Sequence, residues 1–242
     1  MTKKNSKKRI SNWRLWVAGL LFIIAGLLFA AGPIRSYMLA QFQQEHTQQL
    51  TKVTAAEVKE NETQEAEFDF STVEPLDLQA VVKAKMDTSK FLTLGAIAVP
   101  SVNLNLPIYK GISNPVLLAG AGTMKPTQKM GEGNYALASH SVNSYGGENM
   151  LFTPLWRAQK GMKVYLTDGA KVYTYTIDET FMVSPSDTWV LDETKDSTVT
   201  LITCDVSTFK RVIIKGKLDS VKSMDDTDES VLKSFNLAAR TF

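Results

Sequence analysis

Two segments near the C-terminus, Thr198-Val199-Thr200-Leu201-Ile202-Thr203-Cys204 and Arg211-Val212-Ile213-Ile214-Lys215-Gly216-Lys217-Leu218, decide how the rest of the chain is read. Each is rich in β-branched and apolar residues, the texture of a strand. The first ends at Cys204 and the second opens at Arg211, with residues 205–210 connecting them. If the two pair as a hairpin, Cys204 and Arg211 face each other across the loop mouth. A guanidinium placed there can hold a developing oxyanion, and its charge favours a thiolate. Cys204 is also the only cysteine in 242 residues, which excludes an intrachain disulfide. It is therefore a buried inert thiol, a point of intermolecular pairing or a nucleophile, and its place at a strand end favours the last.

Working outward, more short strands appear between glycine and proline punctuation. Residues 93–99 form a β-rich run ended by Pro100, and 104–109 form another in which Pro107 marks an edge or bulge. Ser113-Asn114-Pro115 opens a short helix through Leu118, with Gly120 near its end. Residues 134–139 run as a strand into His140, and 154–159 read as a helical turn. Residues 163–167 and 171–177 make a hairpin about Asp168-Gly169, a pair that supplies the positive φ of a tight turn. The strand 211–218 is interrupted at Gly216. This succession predicts a mainly β fold, a mostly antiparallel barrel or sandwich.

His140, in Leu137-Ala138-Ser139-His140-Ser141, is the one histidine of this β-rich region and again lies at a strand end. One cysteine, one histidine and one arginine are the minimum set for acyl transfer through a thioester. The other histidine, His46, stands in a polar stretch with no partner near it and reads as a solvated linker residue. Two histidines and one cysteine are too few for an ordinary zinc cage.

The N-terminal segments differ sharply in charge. Residues 1–14 carry six basic residues and no acid, and 15–34 carry no charge before Arg35. Twenty residues at ~1.5 Å each match the ~30 Å hydrocarbon core of a bilayer. Trp13 and Trp16 fall where an aromatic belt would sit, and the basic flank should remain cytoplasmic. The run exceeds the apolar core of a cleaved signal, and Pro33 follows the weak Ala30-Ala31-Gly32 site, so a retained signal-anchor is expected. Residues 35–76 read as an extracellular stalk, with nine acids against two lysines over 45–77. The folded domain is expected over 77–224 and a tail over 225–242, where Asp225-Asp226-Thr227-Asp228-Glu229 reads as a solvated helix start. A hydrophobic content of 44% and a charged content of 21% exclude a disordered chain and a polytopic membrane protein. The basic stretch adjoins an apolar run, so its partner is a membrane surface and not nucleic acid.

Thr200-Leu201-Ile202-Thr203-Cys204 resembles the TLxTC signature of sortases, and Arg211 on the next strand matches the sortase arginine. Ala138-Ser139-His140 is similar to the strand-end histidine motif of that family. Gly120-Ala121-Gly122-Thr123-Met124 and Leu151-Phe152-Thr153-Pro154-Leu155 resemble further stretches of class A sortases from streptococci and their relatives. The likeness extends over about residues 94–218. It implies a closed β-barrel of about eight strands with short helices, behind a transmembrane helix and stalk. It also implies a cysteine transpeptidase of a Gram-positive cell membrane that anchors surface proteins to the cell wall. Such enzymes cut LPxTG-type sorting signals between Thr and Gly and pass the acyl group to an amine of the peptidoglycan precursor lipid II.

On that resemblance Cys204 attacks the Thr carbonyl, His140 handles the amine protons, and Arg211 holds substrate and oxyanion. Ala138, Ser139 and Thr203 border the substrate. Residues 181–192 should form a flexible wall of the groove, with Val183, Pro185, Val190 and Leu191 receiving the Leu-Pro part of the signal. No cofactor is expected; no acid occurs from 88 to 131, which excludes a calcium carboxylate cage there. A second apolar segment after the domain and an obvious lid before it are both missing, against a pilin-polymerising class C enzyme. Strand alternation lets only one of Lys210 and Arg211 face the site. Papain-like enzymes place Cys before His, the reverse of this chain. L,D-transpeptidases hold the two close together, whereas 64 positions separate them here. A non-enzymatic adhesin or sensor with a buried Cys204 is the remaining alternative.

Overall fold

The computed structural model describes residues 12–49, 54–142, 146–205 and 210–235. Five helices occur among them: α1 (Asn12–Gln49), α2 (Ala55–Thr63), α3 (Leu78–Met86), α4 (Asn114–Ala119) and α5 (Glu229–Ser234). The strands are β1 (Thr93–Val99), β2 (Leu104–Tyr109), β3 (Ala121–Thr123), β4 (Asn134–Ala138), β5 (Lys163–Thr167), β6 (Lys171–Val183), β7 (Thr198–Asp205) and β8 (Lys210–Ser223). They close into a barrel in the order β1-β2-β3-β4-β7-β8-β6-β5, as the family resemblance implied.

The barrel is mixed. β2–β3 and β4–β7 run parallel, and the remaining neighbours are antiparallel. A parallel pair needs a crossover, and α4, opened by Pro115 and closed by Gly120, supplies the one between β2 and β3. Pro107 stands just before β3 joins β2 at Ile108, so its missing N–H falls where β2 has only β1 beside it. The β5–β6 turn uses Asp168-Gly169-Ala170: Gly169 takes φ +83°, and the Asp168 carboxylate accepts from the amides of Ala170 and Lys171 at 2.9 and 2.7 Å. Gly216 does not interrupt its strand. It pairs with Ile177 and Val199, and β8 runs on to Ser223. A Cβ there would sit 3.1 Å from the Thr176 carbonyl, so glycine allows the close approach of β6. Inside, Ile97, Ile108, Leu137, Tyr175, Leu201 and Ile214 build the core through the inward positions of six strands.

Part of the N-terminal region packs against the helices beside the barrel. α1 is a single helix that continues past the apolar run through Pro33 and Arg35. Its residues Ser36, Leu39, Ala40, Gln43, His46 and Thr47, at the spacing of one helical face, are buried. Leu39, Ala40 and Phe42 pack with Val81 and Ala84 of α3 and Val116 and Ala119 of α4. His46, expected in solvent, lies with its ring centroid 4.3 Å from that of Phe91 and its Nδ1 3.2 Å from the Tyr109 hydroxyl. Too few of these positions are large and apolar to stand out in sequence; small and polar residues fill the rest of the stripe. Beyond α1, Thr54 and Glu57 form a capping box for α2. Asn61 then donates to the Thr93 carbonyl of β1 at 3.0 Å, and the Ile112 amide donates to the Glu67 carbonyl at 2.8 Å. The segment before the barrel is thus laid along it. At the other end, the acidic run leads into α5 as a helix start.

Candidate active site

Three adjacent strands carry or lead into the three expected residues. β4 and β7 pair in parallel with a constant offset, from Asn134↔Thr198 to Ala138↔Ile202. His140 and Cys204 each follow two residues after this last pair, and both border the same cavity. The 64-residue spacing of histidine and cysteine equals the offset of this register. On the other side of β7, Cys204 pairs directly with Arg211 of β8, and the Arg211 Nη1 donates to the Cys204 sulfur.

Hydrogen bonds fix the strand end that carries His140. The Ser139 amide donates to the Ile202 carbonyl at 3.2 Å, and the buried Thr203 hydroxyl donates to the Ser139 carbonyl at 3.0 Å. The Ser139 hydroxyl donates to the Gly120 carbonyl at 2.7 Å, tying β4 to the end of α4. The His140 carbonyl accepts from the Phe152 amide at 3.0 Å. Just before it, Leu151 holds φ +50°, a costly conformation for a bulky residue.

Electrostatics favours a neutral resting pair. Burial, and secondarily the nearby Arg211 charge, lower the His140 pKa to about 4. Burial also raises the Cys204 thiol above its ordinary value, and Arg211 opposes that only in part. At neutral pH the thiol and the free imidazole therefore predominate, and the thiolate is a minority species.

Cys204, His140 and Arg211 border one cavity of about 530 Å³. Ala138, Ser139, Thr203 and Pro185 border it as well. Val183, Val190 and Leu191 do not. Val183 and Val190 are buried in a core cluster with Ile202 and Ile213, and Leu191 packs against it. Strand alternation turns Val183 inward, and the short 3₁₀ turn Thr188–Leu191 turns Val190 inward too. This segment is also pinned instead of free. The Asn134 amide nitrogen donates to the Val190 and Asp192 carbonyls at 2.9 and 3.0 Å, and Glu193 accepts from the Asn134 backbone at 3.0 Å. The aromatic it exposes is Trp189, stacked on Phe181. Both Lys210 and Arg211 border the cavity, against the expected exclusion: Arg211 reaches Cys204, and Lys210, the first residue of β8, stands exposed at the rim.

A further wall was not foreseen. Arg35 at the end of the apolar run and Phe70, Val73, Glu74, Pro75 and Leu76 line the cavity opposite the strands. The threefold spacing of Phe70, Val73 and Leu76 was the available sequence signal. Asn114 holds this wall, accepting from the Glu74 amide at 2.8 Å and donating to the Thr72 carbonyl at 3.1 Å. Among the described residues no group of His, Cys, Asp or Glu is arranged to hold a metal ion.

The family model described as the sortase domain matches residues 97–219, from within β1 to within β8, a span that includes His140, Cys204 and Arg211. The chain belongs to the sortase family. It is 40% identical over 98% of its length to sortase A of Streptococcus agalactiae, covering 97% of that protein. It is 37% identical over 85% of its length to sortase A of Listeria monocytogenes, covering 91% of that protein. A solved structure of Listeria monocytogenes sortase A superposes with a TM-score of 0.55 at 44% identity, over 59% of this chain and 97% of that one. As a sortase this protein is a cysteine transpeptidase, and its one long apolar N-terminal helix fits a single-pass membrane anchor.

Proposed function

We propose that this sortase cleaves LPxTG-type sorting signals between Thr and Gly through a thioacyl intermediate on Cys204. It then transfers the acyl group to an amine of lipid II, fixing surface proteins to the cell wall. What supports this reading is the in-register pairing of Cys204 with Arg211, together with His140 bordering the same cavity. The basic residues 1–14 keep the N-terminus in the cytoplasm and the barrel outside.

The chemistry follows from the proton inventory. Cys204 transfers its proton to His140, and the thiolate attacks the Thr carbonyl carbon. Negative charge builds on the carbonyl oxygen. Arg211, with five N–H donors in a planar fork, can hold the sulfur and still present a donor to that oxygen. His140 returns the proton to the glycine nitrogen as the C–N bond breaks, leaving a thioester and a free amine. An acceptor amine then attacks the thioester, His140 removes its proton, and the departing thiolate recovers it. Because burial and Arg211 both disfavour the imidazolium, the ion pair is scarce at rest. Pro185, Ala138, Ser139 and Thr203 shape the peptide side, with the apolar residues of 70–76 opposite. Chemistry at these residues needs no cofactor, calcium included.

The test uses the full chain in detergent micelles with an LPxTG-type peptide and a soluble amine, without calcium. Cleavage between Thr and Gly with amine-dependent ligation, absent in Cys204→Ala, is expected by mass spectrometry. Cleavage elsewhere, or equal turnover in the variant, contradicts the reading.

A further inference from the structure

The catalytic cavity and the membrane helix meet at one residue. Arg35 is the first charge after the uncharged run 15–34, and it also lines the cavity that holds Cys204. Its Nη1 donates to the Leu76 carbonyl at 3.3 Å, while its buried Nε has no hydrogen-bond partner among the described residues. A buried guanidinium donor left unpaired is costly unless a ligand completes it. Lys210 and Arg211 border the same space. The carboxylate on its wall, Glu74, is already paired with Lys83 at 3.2 Å. The cavity therefore carries positive charge beyond what substrate peptide and oxyanion require of Arg211 alone.

Depth supplies the second constraint. A run of ~20 helical residues spans ~30 Å, so Arg35 emerges where hydrocarbon gives way to headgroups. From Ser36 onward the same helix packs on α3 and α4, which holds the barrel down at that level. Tyr37 of α1, 62% exposed, and Met86 of α3, 77% exposed, are an amphipathic and an apolar group suited to an interface. The opening of the cavity is thus at the depth where lipid phosphates lie.

We propose that Arg35, assisted by Lys210, binds the diphosphate of a lipid-linked amine acceptor, so that the acceptor is captured at the bilayer surface with its amine directed toward the Cys204 thioester. This rests on the acyl-transfer reading above. A guanidinium fork and an ammonium suit two adjacent phosphates. A soluble peptide with the same amine lacks this contact, so Arg35 sets acceptor preference without touching the reacting atoms.

The test embeds the full chain in nanodiscs of zwitterionic phosphatidylcholine, with a sorting-signal peptide as donor. Two acceptors carry the same amine, a lipid-diphosphate-linked peptide and the free peptide, and the ratio of their transfer efficiencies is measured. Arg35→Gln should lower that ratio about tenfold, through KM, by losing one charge-assisted contact. Arg35→Lys should recover part of it. An unchanged ratio in Arg35→Gln overturns the proposal, whatever happens to absolute rates through altered packing. Binding of inorganic pyrophosphate to Cys204→Ala protein gives a readout free of chemistry. Saturable binding weakened several-fold by Arg35→Gln is expected, and no binding, or binding indifferent to the substitution, refutes the site. Should peptide cleavage itself fail, the pyrophosphate result still decides the role of Arg35.

Discussion

The rim where β4, β7 and β8 end and the face where α1 meets α3 and α4 are both tightly built, by opposite means. At the rim, position is set by strand register and by hydrogen bonds through Ser139 and Thr203, and the proposed mechanism asks a different chemistry of each of Cys204, His140 and Arg211. On the helical face, Leu39, Phe42, Val81 and Val116 hold the parts together by apolar area, for which many side chains of similar volume would serve. Identity matters at the rim; size matters on the face. The comparison predicts that rim substitutions remove activity from a folded protein, whereas face substitutions remove structure and carry activity with it.

The largest effect is expected at Cys204. Replacement by Ala should lower transpeptidation by about 10³-fold or more, with melting temperature nearly unchanged, since nucleophile and chemistry vanish together. A Cys204→Ala protein that melts much earlier would make the rim structural. Arg211→Ala should cost about 10²–10³-fold in kcat, the scale of one lost oxyanion donor. Arg211→Lys should restore only part, because an ammonium lacks the planar fork. Full restoration would show that charge alone suffices.

On the helical face, Leu39→Ala should destabilise the docked region by about 3 kcal/mol, from lost burial plus a cavity. Hydrogen exchange should show protection lost from 36–47 and α3 while the central barrel strands keep theirs. Loss spread evenly through the barrel would erase the distinction between the two regions.

The smallest expected effect concerns pH and tests whether the rim also carries a stability cost. His140 is held near pKa 4 in the fold against an ordinary 6.5, so the unfolded chain binds the proton more tightly. Its contribution is fully favourable above pH 6.5 and is lost as pH falls toward 4, by up to about 3 kcal/mol. Denaturant unfolding between pH 7 and 4 should give a shallower loss of stability in His140→Gln than in the parent. Equal slopes would mean that the imidazole is not desolvated.

Legibility in sequence divides along the same line. Where strands begin, the Asp168-Gly169 turn and the short helix opened by Pro115 were readable because backbone punctuation is local, whereas β6 and β8, expected to end at 177 and 218, run on to Val183 and Ser223. Cys204 and Arg211 were readable because one short connection makes their pairing a local matter. His140 could be singled out by chemistry, but its place on the cavity of Cys204 depends on a parallel pairing of distant strands that no short-range pattern encodes. The docking of α1 was hidden by its composition: Ser36, Gln43, His46 and Thr47 on the buried face read as polar linker, although the spacing was helical. Val183 and Val190 were placed in the groove because apolar loop residues pass for exposed ones until a core is seen beneath them. Nothing in sequence marks Arg35 as a cavity residue, because a charge after an apolar run has an ordinary explanation as a stop at the membrane edge.

The central claim, that Cys204 carries the acyl group, is tested most directly by trapping. The full chain is mixed with a sorting-signal peptide in the absence of amine, quenched in acid within seconds, digested and examined by tandem mass spectrometry. The account predicts that the peptide containing Cys204 gains the mass of the acyl fragment ending in Thr, and that adding amine before the quench removes it. An unmodified Cys204 during continuing turnover, or an adduct on another residue, would contradict it.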